Sequence, residues 1–207
     1  MNKKLIIFDL DGTLYKTEEV SVPALKEAFS SFGIKLSEET ILNQFGEPTE
    51  QIIENLVPKE KIDQKELIEK AIAQKESELI PMKATLYQGV ENLLKILTDR
   101  GHKLAICSNG RNDYIEEVLE TTSIMKYFAS IKAHTDDKSK ADRIKELLSE
   151  FSVDDAVMVG DRYHDIEAAE SASVKSVGAL YGYGGEEAKK ADFVIEEPGE
   201  LLSIVLD

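Results

Sequence analysis

Two carboxylates stand two residues apart in the string FDLDGT, residues 8–13, where an apolar run gives out and Gly12 turns the chain. Asp9 and Asp11 at this spacing direct their side chains to one side of an extended segment. Such a pair can hold a hard cation through oxygen. One member can also serve as nucleophile while the other moves a proton. The bland alternative is a strand-end turn in which aspartate caps backbone groups. A calcium loop is excluded, because that pattern needs glycine at its sixth position and Gly12 is fourth from Asp9.

Three more stations of the same kind follow. CSNG, residues 107–110, offers the Ser108 hydroxyl and the Asn109 amide after another apolar run. Lys138-Ser139-Lys140 opens an amphipathic stretch. A lysine there opposes the helix dipole unless an anion lies nearby, and a solvated lysine is the plain alternative. VGDRYHD, residues 159–165, presents Asp161 and Asp165 four apart; both could face a cation, or Asp161 or His164 could cap the next helix. The one cysteine, Cys107, ends the apolar run KLAIC, which predicts a buried, inert thiol and excludes a disulfide framework.

The elements that must position these residues are legible as runs and periods. LIIF (5–8), KLAIC (103–107), ASIKA (129–133), AVMVG (156–160), VKSVGAL (174–180) and DFVI (192–195) are short and apolar with little alternation. They predict strands of a parallel sheet covered on both faces. Helical spacing marks 89–101, 112–122 and 139–151 between them. The alternation predicts an α/β fold with a doubly wound, mainly parallel, Rossmann-like sheet. Residues 16–84 break the rhythm. They predict helices at 21–32, about 37–45, about 49–56 and about 63–79, punctuated by Pro23, Pro48, Pro58 and Pro81. A segment of that size is too long for a loop and reads as an inserted α-helical cap on a core of 1–15 and 85–207.

Composition limits the partners. The chain has 207 residues, 25 Lys and Arg against 40 Asp and Glu, and a net charge of −15. That excess of negative charge argues against nucleic acid and anionic membranes. No signal peptide or spanning segment is visible, so the expected compartment is the cytoplasm.

Acid pair, hydroxyl, lysine and second acid pair, in that order and each after a strand, resemble the four motifs of the haloacid dehalogenase-like hydrolase superfamily. The resemblance covers essentially the whole chain. LYQGVENLL (86–94) and GALYGYGGEEAKKADFVIEEPGEL (178–201) look most like its phosphoglycolate phosphatase-like branch, which carries a small helical cap. The resemblance implies a Mg2+-dependent phosphatase acting on a small phosphorylated metabolite, as a monomer or homodimer. Asp9 would be the nucleophile that becomes an aspartyl phosphate, and Asp11 the acid and base. Mg2+ would lie on the Asp9 carboxylate, the Asp11 carbonyl and Asp161, with Asp165 supporting that shell directly or through water. Ser108 and a lysine would hold phosphoryl oxygens. Lys140 fits the helix start of this branch; Lys138, with Asp142 four residues on, fits another version of the motif. Thr13, Asn109 and Gly46 are the expected substrate contacts. Gly46 belongs to FGEPTEQI (45–52), which resembles the family's specificity loop and otherwise reads as a helix–helix turn. Lys16 stands where the branch commonly has an acid. Arg111 could reach a substrate anion or cap the next helix. A mutase, a pyrophosphatase, a receiver domain and an inactive phosphate-binding protein are the competing readings. The early acid pair and the insertion count against the receiver.

Overall fold

A computed structural model describes residues 3–153 and 155–206; residues 1, 2, 154 and 207, outermost members of the expected core among them, lie outside the described residues. Six strands, β1 (Leu5–Phe8), β2 (Lys103–Cys107), β3 (Ser130–Lys132), β4 (Ala156–Gly160), β5 (Lys175–Ala179) and β6 (Phe193–Ile195), form one sheet in the order β3-β2-β1-β4-β5-β6. Every pairing is parallel. This is the doubly wound arrangement, with β1 at the centre.

The unbroken apolarity of the strands has a direct cause. Ile6 and Phe8 of β1, Leu104 and Ile106 of β2, and Val157 and Val159 of β4 enter one core layer. There they meet α5 (Val90–Asp99) and α6 (Asn112–Thr121) through Leu93, Leu94, Ile115 and Leu119. The intervening residues Leu5, Ile7, Ala105, Cys107 and Met158 enter the opposite layer. That layer is closed by α7 (Lys140–Phe151) and α8 (Tyr163–Ser171) through Ile144, Leu147, Ala168 and Ala169. Both faces of each strand are buried, so side-chain alternation separates two apolar layers rather than apolar from polar. A short α9 (Leu201–Val205) completes the first layer.

Between β1 and α5 lie α1 (Glu18–Ser31), α2 (Glu38–Leu42), α3 (Thr49–Leu56) and α4 (Lys65–Lys83), the expected helical cap. It has a core of its own, in which Leu25, Phe29, Ile41, Ile53, Ile68 and Ile72 meet. Three helix boundaries differ from expectation, one of them the end of α2, which stops at Leu42 rather than near 45. Pro81 lies inside α4 instead of ending it; a proline near a helix end loses one backbone bond, and the ladder continues beyond it, with Ala84 N donating to Ile80 O at 3.0 Å. Likewise Pro23 lies within α1, which starts three residues before the expected position. Among the described residues no helix is long and apolar enough to cross a membrane.

Register places the chemistry. Phe8 is level with Ile106 and with Val159. The residues immediately beyond those strand ends are therefore Asp9, Ser108 and Asp161, gathered at the carboxyl edge of three adjacent strands. β5 is packed too tightly to accept a methyl group, since a Cβ on Gly178 would lie 2.0 Å from the Ala188 carbonyl oxygen. Gly178→Ala is expected to cost ~1–3 kcal/mol through overpacking, read from urea denaturation. An unshifted midpoint would contradict this packing.

Candidate active site

Asp9 leaves β1 as its backbone N–H donates to Val159 O at 2.8 Å. Its carboxylate is buried and accepts from Lys140 Nζ at 2.9 Å. Lys140 is the first residue of α7, whose start is fixed by a capping box: Ser139 Oγ accepts from Asp142 N, and Asp142 Oδ2 accepts from Ser139 N. Lys138 sits outside that turn, exposed, with Nζ 2.5 Å from Glu146. Of the two candidate lysines only Lys140 reaches the acid pair.

Lys140 Nζ also lies 2.6 Å from Asp165 Oδ1, an ion pair without hydrogen-bond alignment. The other Asp165 oxygen caps α8 by accepting from Arg162 N at 3.0 Å. The cap of α8 is thus Asp165, not Asp161 or His164. Asp161 is fully buried; it accepts from Tyr183 N at 2.7 Å and from Thr13 Oγ1 at 3.2 Å. Close approach is secured by glycines. A Cβ on Gly160 would lie 2.1 Å from Asp165 Cγ, and one on Gly12, whose φ is +74°, 2.5 Å from Asp161 Oδ2.

Asp9, Asp161 and Asp165 each bring an oxygen within 4.8 Å of the others. Three buried carboxylates face one ammonium, and Asp165 Oδ1 has no aligned donor. This donor set, all hard oxygen with surplus negative charge, fits a divalent cation such as Mg2+. The Asp11 carboxylate is not in the group. Strand geometry stops at Phe8, so alternation does not carry through to residue 11. Asp9 turns toward α7, whereas Asp11 Oδ1 accepts from Tyr114 Oη of α6 at 2.6 Å and from Thr17 Oγ1 at 2.8 Å. A part for Asp11 in cation binding would fall to its backbone carbonyl.

Burial shapes the proton affinities. It raises Asp9 well above the usual carboxylate range, against the opposing pull of Lys140 and with help from Asp165, Asp11 and Asp161. Burial also raises Asp11, while the Tyr114 and Thr17 hydrogen bonds pull it down. Asp161 is pushed up to about 7 by burial and by Asp165. For Lys140, burial disfavours the charge, but Asp165 and Asp9 outweigh it and the pKa rises. Burial pushes the Cys107 thiol to about 11, in keeping with an inert core residue.

Asp9 and Asp11 open into a cleft between sheet edge and cap, about 560 Å3 including its mouth. Ser108 lines it; its Oγ accepts from Gly110 N at 3.1 Å, leaving the hydroxyl proton free to be donated. Asn109 and Gly46 also line it and bind each other, Asn109 Nδ2 donating to Gly46 O at 3.0 Å. Thr13 does not line it; the hydroxyl is spent on Asp161. Arg111 lines the cleft and pairs with Glu76 of α4 at 3.1 Å. Lys16 stands apart as a half-exposed partner of Glu19 at 4.0 Å.

Several residues of the site escaped the sequence reading. Arg143, buried one turn after Lys140, donates to Ser108 O and, at 2.7 Å, to Asn109 Oδ1, fixing the second station. An arginine at i+3 from Lys140 in an apolar helix face was the available signal. Tyr114, Glu76 and Tyr183 gave none, because their partners are 103, 35 and 22 residues away. Cap and core are docked through Asn109–Gly46, Arg111–Glu76, Arg162 to Phe45 O, and Tyr183 to Glu18.

An acidic, cation-competent centre at the carboxyl edge of a doubly wound sheet, closed by an inserted helical cap, defines a class of α/β hydrolases. The chain belongs to the haloacid dehalogenase-like hydrolase family, whose model matches residues 6–179. It is 30% identical over 209 residues to pyrophosphatase PpaX of Bacillus pumilus, spanning 97% of this chain and 95% of that protein. It is 29% identical over 222 residues to phosphoglycolate phosphatase of Vibrio parahaemolyticus, spanning 98% and 96%. A solved structure described as a predicted phosphoglycolate phosphatase from Haemophilus somnus superposes with a TM-score of 0.88 at 22% identity, covering 98% of this chain and 97% of that one.

The raised carboxyls have a consequence for stability. Asp161 and Glu76 titrate at about 7 in the folded protein, above their ordinary values of 3.8 and 4.5. The folded state therefore holds more protons than the unfolded one across that window, and stability falls as pH rises through it. Cation-free protein is expected to melt lower near pH 8 than near pH 5.5, with the slope flattened in Asp161→Asn. Thermal melts that climb with pH would contradict these environments.

Proposed function

We propose that the chain is a Mg2+-dependent phosphatase that cleaves a small phosphorylated metabolite through an aspartyl phosphate on Asp9. The observation that carries this reading is the buried Asp9–Lys140 pair with Asp161 and Asp165 grouped on the same oxygen cluster. The working units are a core, 1–15 and 85–207, that performs the chemistry, and a cap, 16–84, that covers it. The compartment proposed for the chain is the cytoplasm.

In the first step an Asp9 oxygen forms a bond to phosphorus as the bond to the leaving oxygen breaks. Asp11 gives that oxygen its proton. Both hydrogen bonds to Asp11 fall on Oδ1, which leaves Oδ2 to carry the proton, and burial favours the protonated form. In the second step water attacks phosphorus, Asp11 takes the water proton, and the acyl-phosphate bond breaks to free Asp9 and phosphate. Ser108 donates its hydroxyl to a phosphoryl oxygen, and Lys140 orients Asp9 and offsets its charge. Asp9, Asp161 and Asp165, with the backbone carbonyl of Asp11, would hold Mg2+, which when bound would supply the positive charge that lets a carboxylate approach a phosphate dianion. Thr13, Tyr183 and Arg143 act by positioning Asp161 and the Ser108 loop. Gly46 and Asn109 tie the cap's loop over the cleft, so closure excludes water while the phosphoryl group is transferred.

Asp9→Asn keeps the shape and removes the nucleophile. Phosphate release with Mg2+ is expected to fall at least ~10³-fold, since the covalent route is deleted rather than weakened. A variant retaining near-normal rates would refute the mechanism.

A further inference from the structure

The core side of the cleft, with Asp9, Asp11 and Ser108, receives the phosphoryl group on the reading above. The leaving group must then face what the cap contributes. There Glu76 is 7% exposed, accepts from Ser21 Oγ at 3.2 Å through one oxygen, and pairs with Arg111 at 3.1 Å through the other. Arg111 is also within 3.3 Å of Asp113 and at 3.5 Å donates to Thr49 Oγ1. Leu25 and Ile52 supply apolar wall.

The charge balance here is informative. Arg111 is the cleft's cationic lining residue among the described residues, and its charge is already met by Glu76 and Asp113. Glu47, the other acid on the cap side, adds no positive compensation; it is engaged by Tyr163 Oη at 3.2 Å and His164 Nε2 at 3.0 Å. A second phosphate or a carboxylate on the substrate would have to take Arg111 away from Glu76. That exchange gives up the buried ion pair and leaves Glu76 to take up a proton, a cost that an uncharged group does not incur. An uncharged polyhydroxy group needs no such exchange. Glu76 keeps lone pairs to accept from hydroxyls, Arg111 keeps N–H groups to donate, Ser21 and Thr49 do either, and C–H faces rest on Leu25 and Ile52.

We propose that Glu76 and Arg111 form the leaving-group subsite and that it selects the phosphate monoester of an uncharged polyol or sugar over pyrophosphate and over carboxylate-bearing phosphates. This rests on the phosphatase reading. It also separates this chain's substrate from those after which its pyrophosphatase and phosphoglycolate phosphatase relatives are named.

The test uses the full chain with Mg2+ on sorbitol 6-phosphate, glucose 6-phosphate, pyrophosphate, phosphoglycolate and the generic ester p-nitrophenyl phosphate. The better polyol or sugar phosphate is expected to exceed both anionic-leaving-group substrates in kcat/KM by at least ~10-fold. Glu76→Gln, which frees Arg111, is expected to move that ratio toward pyrophosphate and phosphoglycolate by roughly tenfold, chiefly through their KM. Calorimetric titration of the Asp9→Asn protein with the same ligands gives the order of affinity without turnover, and does not depend on Glu76→Gln folding. Parity, or preference for pyrophosphate or phosphoglycolate, in the unsubstituted enzyme and in the titration overturns the proposal. Failure to hydrolyse any ester while Asp9→Asn protein still prefers the sugar or polyol phosphate removes the phosphatase reading and leaves the subsite standing. Loss of both sinks the two together.

Discussion

Everything at this site answers to one electrostatic constraint: three carboxylates are buried with oxygens within 4.8 Å of one another, and a single lysine stands among them. Burying like charges together is costly, and burial, with the neighbouring acids, raises the proton affinity of Asp9 and Asp161. The fold accepts that cost in stability and concentrates compensation there. Lys140 contacts two of the acids, Tyr183 N and Thr13 Oγ1 serve the third, and Arg162 N holds the free end of Asp165. The arrangement still carries surplus negative charge, which is the property that suits it to a hard cation.

The sheet makes the crowding possible. Parallel strands in register end within one residue of a common level, so three separate segments deliver Asp9, Ser108 and Asp161 to one edge. Gly12 and Gly160 then remove the side-chain volume that would keep the carboxylates apart. The capping box of α7 adds the last piece by fixing Lys140 as the first residue of the helix, from which its ammonium reaches Asp9. Precision here comes from rigid elements rather than from the loops that carry the functional atoms.

On the proposed mechanism, chemistry and selectivity divide between the two parts of the chain: the core would supply nucleophile, proton carrier and cation ligands, and the cap much of what surrounds the leaving group. Tyr183 joins them: its backbone N–H holds Asp161, while its ring packs on Phe45 at 4.9 Å within the cap's apolar cluster. Relatives with about 30% identity carry names for different substrates.

Local pattern was enough for the elements and the stations. Six apolar runs became six strands, and FDLDGT, CSNG, the lysine turn and GDRYHD each fell at a strand end or helix start, because hydrophobic period and turn chemistry are properties of neighbouring residues. The prolines misled where helix ends were concerned, since packing of α1 against α4 outweighs one lost backbone bond at Pro23 or Pro81. What tertiary structure alone decided was partnership: Lys140 rather than Lys138 on Asp9, Thr13 on Asp161 rather than in the cleft, Asp11 on Tyr114, and Arg111 on Glu76. Those choices depend on distances between residues from 35 to 148 positions apart, apart from the neighbouring lysines, whose order is settled by one helix cap. A sequence records which groups are available; only the packed sheet and docked cap set which of them share a charge.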